Sequence, residues 1–153
     1  MAPGGVEMIR ASFERFIHDV TSAGAITRQD VRRLQRDIIP DGIETRDEAD
    51  LLIALDRAVH DKDPAWSACV IQTVVDFVVW TSRPTGHVDR EAATWLVASL
   101  GCGRGPTEVA MAIAFDVVRE SETSDEALVA FVMRWAGGRS AVSIRPPAYD
   151  LAA

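Results

Sequence analysis

The chain is short of cysteine, short of positive charge, and without a long uncharged apolar run. Each shortage closes off a class of protein. Two cysteines, Cys69 and Cys102, in 153 residues cannot build the disulfide framework that staples small secreted domains. No Cys-x-x-Cys or His-Glu-x-x-His spacing offers a zinc site. The N-terminal stretch Met1 to Arg10 lacks the basic start and apolar centre of a secretory signal. The longest apolar stretch, Cys69 to Trp80, is too short to span a bilayer and carries Asp76. A reduced, cytoplasmic location with no membrane insertion is therefore expected. Positive charge is scarce as well: 16 Lys and Arg against 23 Asp and Glu leave a net charge of −7. That is the wrong sign for neutralising phosphates, so nucleic acid is not an expected partner. Arg28, Arg32, Arg33 and Arg36 form the one local basic stripe and read as a solvated helix face.

What the chain does have is enough apolar material for a core, with 48% hydrophobic residues against 25% charged. It also has a recurring helix-entry signature. Gly24 precedes Thr27-Arg28, Gly42 precedes Thr45-Arg46, and Gly86 precedes Asp89-Arg90, with a looser copy at Gly105-Pro106-Thr107-Glu108. In the first three the glycine leads the capping residue by three positions, where a left-handed turn is needed before a helix. Thr27 with Asp30, Thr45 with Glu48 and Thr123 with Glu126 have capping-box spacing, in which hydroxyl and carboxylate each satisfy a free amide at the helix start.

Between these signals the apolar residues recur at helical spacing. Ile9, Phe13, Phe16, Ile17 and Val20 make one stripe. Val31, Leu34 and Ile38 make a second that Pro40 stops, and Ala49, Leu52, Leu55 and Val59 make a third. Residues 64–82, opened by Asp63-Pro64, form the most apolar helix, placed near the centre of the fold. Ala92, Trp95, Leu96 and Leu100 predict a fifth helix ended by Gly101. Ala110, Met111, Ala114, Phe115 and Val118 predict a sixth, and Leu128, Phe131, Val132 and Trp135 a seventh ended by Gly137-Gly138. The Val-rich run 70–79 has strand composition, but no partner strand exists elsewhere, which favours helix. The four tryptophans, Trp66, Trp80, Trp95 and Trp135, fall at inward positions as core anchors. The expected fold is all-α: a compact single-domain bundle of about seven short helices with duplicated helix-turn units over residues 1–138. Residues 139–153, with Pro146-Pro147 and no helical period, read as a flexible or partner-docking C-terminal tail.

The acidic segment from Asp37 to Glu48 is the sharpest chemical candidate. Aligned with a twelve-residue calcium loop, Asp37 takes position 1, Asp41 position 5, Gly42 the sharp turn at position 6 and Glu48 the bidentate position 12. Ile39 stands at position 3 and Glu44 at position 8. Asp37, Asp41, Glu44 and Glu48 are thus the candidate ligands for a divalent metal such as calcium. Helix capping with solvated acids is the competing reading of the same residues. Near the end of the third helix, Asp56, His60 and Asp63 offer a weaker metal set, set against a His that merely favours a helix C-terminus. Gly101-Cys102-Gly103-Arg104-Gly105 lacks the preceding strand and the Lys-Ser/Thr pair of a phosphate loop.

The stretch Asp41-Gly42-Ile43-Glu44-Thr45-Arg46-Asp47-Glu48-Ala49-Asp50, with the weaker Gly86-His87-Val88-Asp89-Arg90-Glu91-Ala92, resembles the Asp-Gly-led acidic pattern of TerB-like tellurite-resistance domains. The likeness extends in pattern over residues 20 to 135 and in literal motif over about ten. It implies an all-helical fold of duplicated units, and acidic positions, here Asp41 and Glu48, implicated in metal binding. The second stretch departs from that pattern, with Thr85 before the glycine and Ala92 in place of the Glu. No nucleophile–base pair can be assembled from the sequence, and no catalytic residue and no organic cofactor are assigned. The expected function is a non-enzymatic interaction or regulatory module with a protein partner. The alternatives are a divalent-metal-binding stress-response protein and a helical enzyme with a site near Asp56, His60 and Asp76. Oligomeric state is open.

Overall fold

The computed structural model describes residues 2–143, with side chains over 11–135. The protein is all-α: 71% helical, with seven α-helices and only two-residue strands among the described residues. Its contacts divide the chain into two compact units, Met1–Phe77 and Val78–Ala153, a division that the helical periodicity does not mark.

In the first unit, α1 (Ala2–Ala23) ends at Gly24, whose φ of 76° is the left-handed turn that a glycine permits without strain. A two-residue strand, β1 (Ala25–Ile26), leads to Thr27, the cap of α2 (Arg28–Arg33). The capping box is complete. Asp30 N donates to Thr27 Oγ1 at 3.1 Å, and Thr27 N donates to the Asp30 carboxylate at 2.9 Å. The helix then widens into a π-helical turn, Leu34–Ile38, and Pro40 follows. Thr45 caps α3 (Arg46–Ala58), β2 (Asp61–Lys62) follows, and Asp63 caps α4 (Pro64–Asp76) with Pro64 at the first helical position. The strands β1 and β2 pair in parallel, Ala25 opposite Asp61 and Ile26 opposite Lys62. Phe13, Phe16, Leu34, Leu52, Trp66 and Val70 fill the interior. Each such side chain contributes about 1.5–3 kcal/mol by leaving water.

A further π-helical turn, Phe77–Thr81, begins on the last residue of the first unit, and the second unit continues to Gly86 at φ 81° and β3 (His87–Val88). Asp89 caps α5 (Arg90–Leu100), and Thr107 caps α6 (Glu108–Glu120). Then come β4 (Thr123–Ser124) and α7 (Glu126–Ser143). The strands β3 and β4 again pair in parallel, His87 opposite Thr123. Leu96, Leu100, Ile113, Ala114, Val117 and Leu128 form the interior.

The two units repeat one design. Residue 25 against 87 and residue 61 against 123 give the same displacement of 62 positions for both strand pairs. The same shift carries Gly24 to Gly86, the cap Thr27 to Asp89, Thr45 to Thr107 and Asp63 to Asp125. It also carries the amide of Asp63 on Ile26 O (2.9 Å) to that of Asp125 on Val88 O (2.8 Å). Each bridge closes its unit where two caps begin, so four backbone groups find partners that no helix supplies.

Several expectations are corrected. Trp80 is 49% exposed and Phe115 53% exposed, so neither anchors a core. The π turn holding Trp80 adds a residue to the helical turn and rotates it off the extrapolated stripe. Phe115 is one position off the inward row of Ala110, Ile113, Ala114 and Val117. Trp95 and Trp135 are half-buried, and only Trp66 is enclosed. Thr123 does not cap α7; it lies in β4, and Asp125 accepts from Ala127 N at 3.0 Å instead. The last helix passes through Gly137-Gly138 to Ser143. Residues 144–153 of the expected tail, and the side chain of Ile9, lie outside the described residues. Among the described residues one helical stretch, Pro64–Thr81, is long and apolar enough to cross a membrane by length and composition, with 44% of it buried.

Candidate functional site

The acidic segment folds as a corner between the π turn and α3. Ile39 N donates to Leu34 O at 2.8 Å, closing the turn, and Gly42 takes a φ of 84° to reverse the chain toward Thr45. Ile39 and Ile43 are buried beneath the corner, while Asp41, Glu44 and Asp47 are exposed. Above this lies a pocket of about 150 Å³. Phe13 from α1, Ile38, Ile39 and Leu51 supply its apolar floor, and Asp41, Glu44, Asp47 and Glu48 its edge.

The four carboxylates proposed as metal ligands are not equivalent. Asp37 sits inside the π turn, not in the loop, and faces a second, wider concavity with Arg15, Asp19 and Arg33. There Arg33 Nη2 pairs with Asp19 Oδ2 at 3.0 Å and its guanidinium carbon lies 5.3 Å from the centre of the Phe16 ring. Glu48 Oε1 accepts from Glu44 N at 2.7 Å and from Thr45 N at 3.1 Å, so this carboxylate is committed to starting α3. The carboxylates of Asp41 and Glu44 line the pocket with no hydrogen bond or ion pair among the described residues, as does that of Asp47, which the sequence did not single out. Among the described residues no group of three or more His, Cys, Asp or Glu side chains is arranged to hold a metal ion. The donor set that a calcium loop requires does not converge in this arrangement.

The weaker set also separates. Asp56 is 3% exposed on the inner face of α3. Its Oδ1 accepts from Lys62 Nζ and from Trp66 Nε1, each at 3.1 Å, while Lys62 Nζ also donates to the Asp56 carbonyl at 2.6 Å. His60 is exposed and Asp63 is occupied as a cap, accepting from Ala65 N at 2.8 Å. Lys62 is the only lysine of the chain, and the sequence reading missed both it and Trp66 as partners of Asp56. One signal was available: Asp56 follows Leu52 by four residues and so falls on the apolar stripe of α3, where an acid needs a partner. His87, with no partner legible in the sequence, has Nδ1 2.8 Å from Thr123 Oγ1 and Nε2 3.5 Å from Glu122 Oε1, across the second strand pair.

The two thiols differ in character. Burial pushes the Cys69 thiol above its ordinary range, with hydrogen bonds to Thr73 and Gln35 opposing the shift. Cys102 is exposed in the loop before α6. Comparison of the chain with family models, curated proteins and solved structures returns no match.

Proposed function

We propose that this chain is a non-enzymatic interaction or regulatory module of the TerB-like helical kind, with the pocket at the α3 corner as its docking point. The carrying observation is a pocket that joins the apolar Phe13, Ile38, Ile39 and Leu51 to three carboxylates with no hydrogen bond or ion pair among the described residues. Like charges gathered at the edge of an apolar pocket repel one another, and a complementary charge on a second molecule relieves that repulsion. An acidic module of this kind would act in the cytoplasm on a protein partner. The test is cross-linking of carboxylates to bound protein in extracts, with wild type beside Leu51→Lys, whose folding is checked by circular dichroism. Adducts concentrated on residues 38–51 and lost in the variant support the reading. A turnover screen finding activity that depends on Asp41, Glu44 or Asp47 overturns it.

A second reading, a divalent-metal-binding stress-response protein, draws on the presence of Asp41, Glu44 and Glu48 along one pocket. It requires Glu48 to release two backbone amides. Calorimetry and thermal unfolding with calcium, magnesium, manganese and zinc separate the two readings. A metal that binds only the folded chain must raise its melting temperature.

A further inference from the structure

The internal repeat provides a control for the acidic rim. Shifted by 62 positions, Asp41, Glu44, Asp47 and Glu48 become Gly103, Pro106, Val109 and Ala110. The second corner is still built: Ala110 N donates to Thr107 Oγ1 at 3.0 Å and α6 follows. A threonine-capped helix entry at this register therefore forms without any of the four acids, although its approach lacks the π turn and places its left-handed glycines at 103 and 105. In the first unit only Glu48 is spent on the local fold, through the capping box.

The size and shape of the pocket restrict what it can hold. A cavity of about 150 Å³ matches one benzene-sized group, which is a single side chain and not a helix or a strand. Its apolar lining, in which Leu51 is half-buried and Phe13, Ile38 and Ile39 are nearly enclosed, suits an occupant with methylenes. Its edge, Asp41, Glu44 and Asp47, requires a cation at the far end of those methylenes. Guanidinium suits this better than ammonium: it is more weakly hydrated and presents a planar fork that meets carboxylates through paired hydrogen bonds. The net charge of −7 draws a cation toward the chain from a distance. We infer that the pocket takes an arginine side chain presented by a partner protein, with the stem on the apolar floor and the guanidinium among Asp41, Glu44 and Asp47. This inference rests on the docking reading above and names its chemistry.

The experiment is amide NMR of the full chain titrated with N-acetyl-arginine methylamide, with the lysine and norleucine analogues, and with a heptapeptide carrying one central arginine or alanine. Saturable shifts confined to residues 38–51 are expected, at a dissociation constant on the order of millimolar for a single side chain. The arginine probe should bind more tightly than the lysine probe, and norleucine least. The arginine peptide should bind at least as tightly as the amino-acid probe, and the alanine peptide should not bind there. A triple variant, Asp41→Asn with Glu44→Gln and Asp47→Asn, should keep the remainder of the spectrum and lose about tenfold or more in affinity, since each lost charge-assisted contact is worth a kcal/mol or more. Shifts located elsewhere, norleucine binding equal to arginine, or an unaffected triple variant would overturn the inference. Binding of the amino-acid probe without the peptide would also overturn it, by pointing to a free guanidine in place of a protein. If Leu51→Lys abolishes capture of a partner protein while no arginine probe binds, the docking reading stands and the arginine assignment falls.

Discussion

Replacing Asp56 by alanine is the sharpest test of how the first unit is held together. Asp56 is enclosed, and its carboxylate receives the indole N–H of Trp66 and the ammonium of Lys62, each at 3.1 Å. Trp66 is fully buried, so truncation strands its N–H away from water at a cost of about 1–3 kcal/mol. Lys62 is 20% exposed and keeps the Asp56 carbonyl at 2.6 Å. Its loss of a counter-charge is therefore eased by water, and about 1 kcal/mol is a fair share. The expected loss is about 2–4 kcal/mol. For a chain of this length that lowers the melting temperature by about 5–15 °C. Urea unfolding followed by circular dichroism and tryptophan fluorescence measures it. Asp56→Asn retains an acceptor for the indole and should fall between wild type and Asp56→Ala. Asp56→Leu with Lys62→Met removes both charges and should recover part of the loss, because a buried pair is expensive chiefly when only half of it is removed. A loss below about 0.5 kcal/mol for Asp56→Ala would refute the reasoning, since no buried donor would then have been left unpaired.

Thr45→Ala removes the hydroxyl that accepts from Glu48 N at 3.1 Å and should cost about 0.5–2 kcal/mol in chemical unfolding. Gly42→Ala places a side chain at φ 84° with nothing within 4 Å to collide with, so its cost is conformational alone, about 1–2 kcal/mol. Gly105→Ala combines φ 111° with a Trp135 ring carbon 3.1 Å from the new methyl and should lose more than Gly42→Ala in the same assay. In the folded protein a thiol reagent should modify Cys102 promptly and Cys69 only after denaturant is added, as mass spectrometry of the peptides can show. Because burial raises the Cys69 thiol above the ordinary thiol value of 9.0, its neutral form favours the folded state fully below pH 9.0. That contribution is lost as pH rises beyond it, so stability measured against pH should decline on the alkaline side and do so less in Cys69→Ala.

Helix positions were largely legible from residues that act locally. Thr27 with Asp30 and Thr45 with Glu48 announce capping boxes because hydroxyl, carboxylate and amide all lie within one turn of chain. Gly24, Gly42 and Gly86 announce left-handed turns because only their backbone tolerates them at no cost. The stripes of Phe13, Phe16 and Val20 and of Leu52 and Leu55 follow from a fixed rotation per residue. What the chain alone could not settle depends on distant partners. Two-residue strands have no period, so the pairing of Ala25 with Asp61 and His87 with Thr123, and with it the 62-residue register of the duplicated units, emerges only in three dimensions. Trp80 and Phe115 escape the interior because a π turn and a single-residue offset re-aim them. At the α3 corner the sequence showed a run of acids. Tertiary structure decided that Asp37 faces one concavity, Glu48 starts a helix, and Asp41, Glu44 and Asp47 edge an apolar pocket. Charge order along a chain fixes neither which carboxylate an amide claims nor which remains for solvent, because those choices belong to the packing around them.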